Sequence, residues 1–364
     1  IINSTWIYLT FCYNGTFYIP YTSIIVNGSV IVNVSGLIPG YNLSNLEEGI
    51  WNVTLLIKDY YTGNLDTDSA IIIVDLTPPT IMIAGALNAT YVNTTNITIK
   101  WHCSDNFGID YIEIKIDEKA WINIGNANNY TFIGLEEGSH IVVIRVIDIS
   151  GNLESVHIVF VVDSTFPTIT LIEPASGLYL SNTTITISWM SSDNFGIDHY
   201  ELSIDGKSWI YLNNSYYTIE GLGEGNHTIF VKAIDLAGNT KMALAWFIVD
   251  VSSPVVVLSE PSTDIVSSSV IHLVWNMIDN FGIDHVEVYV NDVCVYTGNG
   301  SEYLLEVSDN RYNIRVRVYD KAGNYAECTK EIIVDTTAPE ILITSPSDEQ
   351  YLNKTKVNIS WRYN

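Results

Sequence analysis

Twelve aspartates recur in the same order along the chain, and their side chains could bind a hard metal cation. Each set of four begins before a Thr/Ser-x-Pro step, continues with both ends of an Asp-Asn-Phe-Gly-Ile-Asp string and closes with an Asp-x-x-Gly-Asn turn. The sets are Asp75, Asp105, Asp110 and Asp148; Asp163, Asp193, Asp198 and Asp235; and Asp250, Asp279, Asp284 and Asp320. Carboxylate and carbonyl oxygens are the ligands that Ca²⁺ prefers. If each set converges in the fold, the sequence predicts calcium sites.

The same aspartates also have a purely structural interpretation. Asp-x-x-Gly-Asn makes a good hairpin turn, because Gly supplies a positive φ. An Asp before Thr-x-Pro can accept backbone hydrogen bonds at a linker. Structural turns and calcium binding therefore stay open as alternatives, and calcium binding to a fragment of two repeats would separate them.

Asn-x-Ser/Thr acceptors for N-linked glycans are unusually frequent. The 33 Asn and 61 Ser and Thr in 364 residues predict only about five or six acceptors by chance. The sixteen present are Asn3, Asn14, Asn27, Asn33, Asn42, Asn52, Asn88, Asn93, Asn96, Asn129, Asn182, Asn213, Asn226, Asn299, Asn353 and Asn358. The excess favours glycosylation of a secreted chain, with fewer than all sixteen occupied. The alternative is that turns and strands simply favour Asn and Thr.

Motifs for catalysis do not occur in the sequence. There is no Gly-x-Ser-x-Gly, phosphate loop or His-Glu-x-x-His. The histidines recur without the Cys or carboxylate spacing of a zinc site. We therefore predict no catalytic residues and no enzymatic activity.

A repeat of about 87 residues organises the chain. The Asp-Asn-Phe-Gly-Ile-Asp string starts at residues 105, 193 and 279, and a fixed period of this kind is typical of a domain array. The predicted domains are a partial, diverged one at 1–75, complete ones at 76–163, 164–250 and 251–335, and the opening of a further one at 336–364. The sequence has no initiating Met, signal peptide or membrane span. We expect a piece of a longer chain, with any anchor outside it.

Each repeat is predicted to be all-β. Stretches such as 97–101, 112–116 and 286–290 alternate with period two, and turn signals recur every eight to twelve residues. Seven strands per repeat follow. In a seven-stranded sandwich the linker, the loop after the second strand and the turn after the sixth lie at one end, so the four aspartates of each set should meet there.

A tryptophan on the second strand keeps the same phase in the repeats. Trp101, Trp189 and Trp275 are predicted to fill the sandwich cores rather than to stack on sugars. Trp361 has the same phase in the last segment. In the diverged first domain, Trp6 is expected to take this place.

The motifs resemble those of tandem bacterial and archaeal Ig-like repeats of surface proteins. The resemblance rests on Ile-Asp-Gly-Lys-Ser-Trp at 204–209, Leu-Gly-Glu-Gly-Asn-His at 222–227 and Ala-Ile-Asp-Leu-Ala-Gly-Asn at 233–239. It implies a tandem array of seven-stranded Ig-like, fibronectin type III-like β-sandwiches in an extracellular protein. Such modules occur in S-layers, in adhesins and in the stalks of exported enzymes, so the fold alone does not give the function.

The charge of the chain restricts its partners. Forty-one acidic against sixteen basic residues give a net charge of −25, which argues against binding nucleic acid or anionic membrane surfaces. We expect a glycosylated, non-enzymatic structural component of an archaeal S-layer, sheath or filament, whose partners are its own copies or other surface proteins. Membrane contact would come only from segments outside the chain. The alternatives are the stalk of an adhesin or of an exported hydrolase.

Overall fold

The computed structural model describes residues 1–13, 21–85 and 88–363, and every regular element within them is a β-strand. This part of the chain contains no helix of the length and apolarity that a membrane crossing requires. Its internal contacts group into two compact units. One unit comprises residues 1–167, 193–197 and 235–240, and the other comprises 168–192, 198–234 and 241–364. Sites are described below within one unit at a time.

The second sandwich shows the repeating pattern most completely. Its strands are β7 (Thr80–Ala84), β8 (Thr90–Val92), β9 (Ile97–Ser104), β10 (Ile109–Ile116), β11 (Ile122–Asn123), β12 (Asn129–Phe132), β13 (Gly138–Asp148) and β14 (Leu153–Val162). One sheet has the order β12-β9-β7 and the other β11-β10-β13-β14-β8. The sequence predicts seven strands, and the eighth is the short β8, which pairs in parallel with β14. It covers an edge of β14 that would otherwise present unpaired backbone groups.

The third and fourth sandwiches repeat this strand order. The third has β15 (Thr168–Glu173), β16 (Leu178–Leu180), β17 (Ile185–Ser192), β18 (Ile197–Ile204), β19 (Ile210–Leu212), β20 (Tyr216–Ile219), β21 (Gly225–Asp235) and β22 (Thr240–Val249). The fourth has β23 (Val255–Glu260), β24 (Ile265–Val266), β25 (Val270–Ile278), β26 (Ile283–Val290), β27 (Val293–Gly298), β28 (Glu302–Glu306), β29 (Asn310–Asp320) and β30 (Tyr325–Val334). The sheets are β15-β17-β20 with β16-β22-β21-β18-β19, and β23-β25-β28 with β24-β30-β29-β26-β27.

The first sandwich and the last segment are smaller. The first has β1 (Trp6–Thr10), β2 (Tyr21–Val26), β3 (Ser29–Ser35), β4 (Gly40–Ser44), β5 (Gly49–Lys58) and β6 (Leu65–Val74). They form the sheets β1-β4 and β3-β2-β5-β6, and Ile2 bridges Val74 in parallel, as β8 does β14. At the other end, β31 (Ile341–Ser345) pairs with β32 (Ser360–Tyr363).

Alternating apolar side chains build one core in each sandwich. Trp101, Trp189 and Trp275 are at most 3% exposed, which confirms the prediction that they fill the cores. The expectation for the first sandwich was wrong, because Trp6 is 60% exposed. Phe11 takes the place instead: it packs against the core, and its N–H donates to Pro39 O at 3.1 Å as that of Trp101 donates to Asn128 O at 3.0 Å.

Candidate metal centres

Nine of the twelve predicted aspartates meet in three clusters at the linkers between consecutive sandwiches. In each cluster, one carboxylate oxygen from every member lies within 4.8 Å of the other two. The first cluster is Asp75, Asp105 and Asp148; the second is Asp163, Asp193 and Asp235; the third is Asp250, Asp279 and Asp320. The first and second lie within one compact unit and the third within the other.

The linker aspartate of each cluster follows the last strand of a sandwich. Its backbone N–H extends the parallel pairing, because Asp163 N donates to Val92 O and Asp250 N donates to Leu180 O, both at 2.9 Å. Asp75 N donates to Ile2 O in the same way. The pairing fixes the backbone where the chain leaves the sandwich and holds these three side chains fully buried.

The second aspartate of each cluster is the first residue of the loop that follows β9, β17 or β25. Its carboxylate holds that loop by accepting backbone hydrogen bonds. Asp105 Oδ2 accepts from the N–H groups of Phe107 and Gly108, both at 2.8 Å. Gly108 has a φ of 118°, which only Gly adopts without strain. One carboxylate oxygen is therefore used by the loop and the other is left for the cluster. Asp193 and Asp279 make the same loop contacts.

The third aspartate opens the Asp-x-x-Gly-Asn turn, whose Asn reaches the linker. Asp235 Oδ1 accepts from the N–H groups of Ala237 and Asn239 at 2.9 and 2.8 Å. Asn239 Nδ2 donates to Asp163 O at 2.9 Å and to Thr165 O at 3.2 Å. Asn152 and Asn324 make the equivalent bonds to their own linkers. The turn thus ties a sandwich to the linker that precedes it.

Three of the predicted aspartates lie outside the clusters, so the prediction of four converging carboxylates was wrong. Asp110, Asp198 and Asp284 are exposed. Each is already within a strand, β10, β18 or β26, where side chains alternate between faces and theirs points to solvent. Asp198 and Asp284 instead accept from the neighbouring His199 and His285 at 2.7 and 2.8 Å.

The clusters bury negative charge that the protein only partly compensates. Three buried oxygens have no hydrogen-bond partner in the second cluster: Asp163 Oδ2, Asp193 Oδ1 and Asp235 Oδ2. In the third cluster neither oxygen of Asp250 has a bond of normal geometry, although the Ser252 amide lies near enough to favour the charged form. Such orphaned acceptors are costly unless a cation or donor meets them.

The electrostatic effect is a raised pKa at the linker aspartate of each of the three clusters. Burial raises the pKa of Asp250 to about 6, and the charges of Asp279 and Asp320 add to it. The pKa of Asp163 is also raised, mainly by burial and to a smaller extent by the charges of Asp193 and Asp235. Burial raises the pKa of Asp75. In Asp148, burial acts in the same direction, but hydrogen bonds from Ser150 and Asn152 outweigh it and lower the pKa. The linker aspartates are therefore the members that a cation would stabilise most.

Acidic residues on a neighbouring loop complete each linker, and the sequence predictions missed them. Glu137 Oε1 accepts from Ser164 N, Ser164 Oγ and Thr165 Oγ1, and its Oε2 accepts from Asn194 Nδ2 at 3.0 Å. These bonds, led by that from Thr165, lower its pKa. Glu48, Glu224 and Asp309 hold the other linkers in the same way. The signal was present, since three of these four are the Glu of a repeated Glu-Gly pair.

The donor set of the clusters fits a hard divalent cation. Each consists only of carboxylates, which bind Ca²⁺ or Mg²⁺ and offer none of the nitrogen or sulfur ligands that zinc favours. The orphaned oxygens are the atoms that a cation would meet. Linker carbonyls beside the clusters are already bonded by the Asn side chains of the turns.

The predicted glycan acceptors lie at the surface. All fifteen that fall within the described residues are exposed, as transfer of a bulky glycan requires. Asn14 lies outside the described residues. Some acceptors, such as Asn27, Asn88 and Asn96, use Oδ1 to accept a backbone N–H, so their side chains also support the local structure.

Two family models match parts of the chain. A bacterial Ig domain matches residues 167–231, and a bacterial Ig-like domain of group 3 matches residues 39–102. The second match runs across the predicted boundary after residue 75. With the strand order, the matches show tandem Ig-like β-sandwiches. No curated protein matches the chain.

Similar solved structures are also repeat modules. The fibronectin(III)-like modules of Clostridium thermocellum CbhA are 18% identical, over 46% of this chain and 94% of theirs, with a TM-score of 0.36. A tetra-tandem repeat from the extending region of a large adhesion protein is 18% identical, over 87% of this chain and 92% of its own, with a TM-score of 0.35. The FN1–FN3 domains of chicken CNTN1 are 18% identical, over 71% and 99%, with a TM-score of 0.28.

Proposed function

We propose that this chain of tandem Ig-like sandwiches is a structural part of an extracellular surface protein, and that divalent cations fix its linkers. The observation that carries the proposal is the same linker chemistry at three places, with buried carboxylates facing one another and two side-chain clamps on each linker. Ig-like repeats are typically non-catalytic, and the buried carboxylate clusters of this chain lie at linkers between sandwiches. Calcium binding to the whole chain tests the proposal.

Calcium is the cation that we assign to the three clusters. It accepts six to eight oxygen ligands in flexible geometry, whereas Mg²⁺ demands a near-ideal octahedron. Three carboxylates from three separate loops suit the more permissive ion. Extracellular calcium modules bind with dissociation constants of about 10⁻⁴ to 10⁻³ M, so the sites would be filled where calcium is plentiful and lost under chelation.

Glycosylation is the second component of the proposal. The excess of Asn-x-Ser/Thr sites and the exposure of every described one support it. Mass spectrometry of peptides from the native protein should find glycans on several acceptors, including Asn93, Asn182 or Asn353. Unmodified Asn at all three would count against a glycosylated surface chain.

Assembly with copies of itself is supported by an apolar face on the fourth sandwich. In the second and third sandwiches, hydroxyl pairs join the outer face of the three-stranded sheet: Thr80 with Ser104, Thr98 with Thr131, Thr168 with Ser192, and Thr186 with Thr218. The fourth sandwich has Val255 opposite Ile278 and His272 opposite Leu304 at these places. Val255, Ile278 and Leu304 are 58, 70 and 62% exposed. The net charge of −25 makes copies of the chain repel one another, so exposed uncharged side chains such as these favour a contact between copies.

Restoring the hydroxyl residues of the other repeats should weaken this contact. We expect concentration-dependent association of the whole chain in sedimentation equilibrium, and at least tenfold weaker association after Val255→Thr, Ile278→Ser and Leu304→Thr together. Val293→Thr, an exposed apolar residue on β27, is the control and should have no effect. A wild-type chain that stays monomeric at millimolar concentration would contradict self-association and leave the face to a different protein.

The S-layer, sheath or filament, and the archaeal origin, remain predictions. The alternatives are the stalk of an adhesin and the stalk of an exported hydrolase. Assembly of pure chain into a regular lattice or fibre would favour the first reading, and a catalytic domain in the same polypeptide would favour the last.

A further inference from the structure

One residue in the turn distinguishes the first cluster from the other two. The Asp-x-x-Gly-Asn turn has Ser150 at its third position in the second sandwich, and Ala237 and Ala322 in the third and fourth. The neighbouring turn residues are otherwise used in the same way, because Asn152, Asn239 and Asn324 all bond the linker carbonyls. The hydroxyl is therefore a difference at an otherwise repeated site.

The Ser150 hydroxyl lies between two carboxylates of the first cluster. Its Oγ is 3.1 Å from Asp75 Oδ2 and 2.6 Å from Asp148 Oδ1, and it accepts from Asn152 Nδ2 at 2.8 Å. A hydroxyl has one hydrogen to donate, so it serves one carboxylate at a time and bridges the pair. Ala237 and Ala322 have no atom that could do this.

The serine-containing first cluster also has fewer buried carboxylate oxygens without a hydrogen-bond partner than the two alanine-containing clusters. The second cluster has three buried carboxylate oxygens without a hydrogen-bond partner and Asp250 of the third has two, whereas in the first only Asp105 Oδ1 has none. The protein thus compensates the first cluster internally to a greater degree than the others.

We propose that Ser150 makes the first linker the least calcium-dependent of the three, while the alanine-containing second and third clusters depend on the cation. The inference rests on the proposed function. Its physical basis is that binding is measured against the ion-free state, and the hydroxyl stabilises that state in the first cluster only. A buried carboxylate that already accepts a hydrogen bond gains less from an ion than one that accepts none.

The Ser150 hydroxyl could in principle raise the calcium affinity of the first cluster instead of lowering it, and experiment distinguishes the two effects. If the Ser150 oxygen were itself a calcium ligand, the hydroxyl would add affinity to the first cluster. The two cases differ in the direction of the effect when the hydroxyl is removed from the first cluster or added to another.

Exchange of Ser and Ala between the turns tests the inference in the whole chain. Ser150→Ala should tighten calcium binding at the first cluster about tenfold, and Ala237→Ser should weaken it at the second by a similar factor, since a hydrogen bond to a charged group has about this worth. In EDTA, the variant that binds calcium more tightly should be the less stable one, because it lacks the hydroxyl that stabilises the ion-free cluster. The melting temperature should therefore fall in Ser150→Ala and rise in Ala237→Ser. Isothermal titration and scanning calorimetry give the two readouts, with Ser155→Ala, exposed on β14, as the control.

The outcomes separate the inference from the proposed function. Weaker calcium binding in Ser150→Ala, or equal affinities in wild type and both exchange variants, would overturn the inference and leave calcium at the linkers intact. No calcium binding by the wild-type chain would overturn both. Opposite shifts of affinity and of melting in EDTA would support the inference.

Discussion

Replacing Asp250 with Asn is expected to stabilise the calcium-free chain and to abolish calcium binding at the third cluster. Asp250 is fully buried, neither of its oxygens has a hydrogen bond of normal geometry, and Asp279 and Asp320 lie beside it. A pKa near 6 instead of 3.8 corresponds to a penalty of about 3 kcal/mol for the charged form at pH 7. An amide removes this charge and can donate to the neighbouring carboxylates. A rise in stability on mutation of a buried acid is unusual, and the raised pKa is its cause.

The effect should depend on pH with a defined sign. The folded-state pKa of Asp250 lies above its unfolded value, so its contribution to stability is fully present below about pH 4 and is lost as the pH rises through 6. In EDTA the variant should therefore exceed wild type most at pH 7, by less at pH 5, and not at all below pH 4. Scanning calorimetry at these pH values measures the difference. Asp284→Asn, on the exposed member of the same predicted set of four aspartates, is the matched control.

A lower stability of Asp250→Asn in EDTA at pH 7 would contradict this account. It would mean that the carboxylate makes favourable contacts as an anion within the protein. The structural interpretation of the aspartates, without calcium, would then be the better one.

Asn239→Ala is expected to loosen the linker between the second and third sandwiches. Asn239 is buried, and its Nδ2 serves the carbonyls of Asp163 and Thr165. The variant keeps the turn, because the backbone N–H at 239 still donates to Asp235. Two carbonyls lose a donor, at about 1–2 kcal/mol each and about 2–4 kcal/mol in total. Local opening rather than global unfolding should follow.

Hydrogen exchange and limited proteolysis measure that opening. We expect faster exchange at the Asp163 and Thr165 amides and earlier cleavage within 163–167, with the cores of the sandwiches protected as before. Asn126→Ala, on an exposed loop residue, should leave the linker unchanged. Unaltered protection of the linker in Asn239→Ala would show that Glu137 and its partners hold it without the Asn.

The sequence predicted the fold class and the place of the clusters, because repeated strings and strand alternation are local signals. It did not predict which aspartates would meet. Asp105 and Asp110 belong to one string, but the string spans a loop and the start of β10, and only the loop residue points into the cluster. The short β8 was missed for a related reason: three residues are too few to show a period.

Other features of the site could be interpreted only from distances between atoms in the folded chain. Glu137 recurs with the same period as the aspartates. The hydroxyl groups that donate to it, those of Ser164 and Thr165, belong to a linker 27 and 28 residues further along the chain. The Ser150 and Ala237 difference is plain in the sequence, but its meaning comes from the 3.1 Å between the hydroxyl and Asp75. Phe11 shows the same limit, since its role follows from the register of β1 and β4 rather than from its residue type.

Isothermal titration of the whole chain with CaCl₂ tests the central claim most directly. The account predicts saturable heat at more than one site, with dissociation constants of about 10⁻³ M or tighter, reduced stoichiometry in Asp250→Asn, and unchanged binding in Asp284→Asn. Absence of saturable heat from the wild-type chain, together with equal melting in calcium and in EDTA, would contradict it.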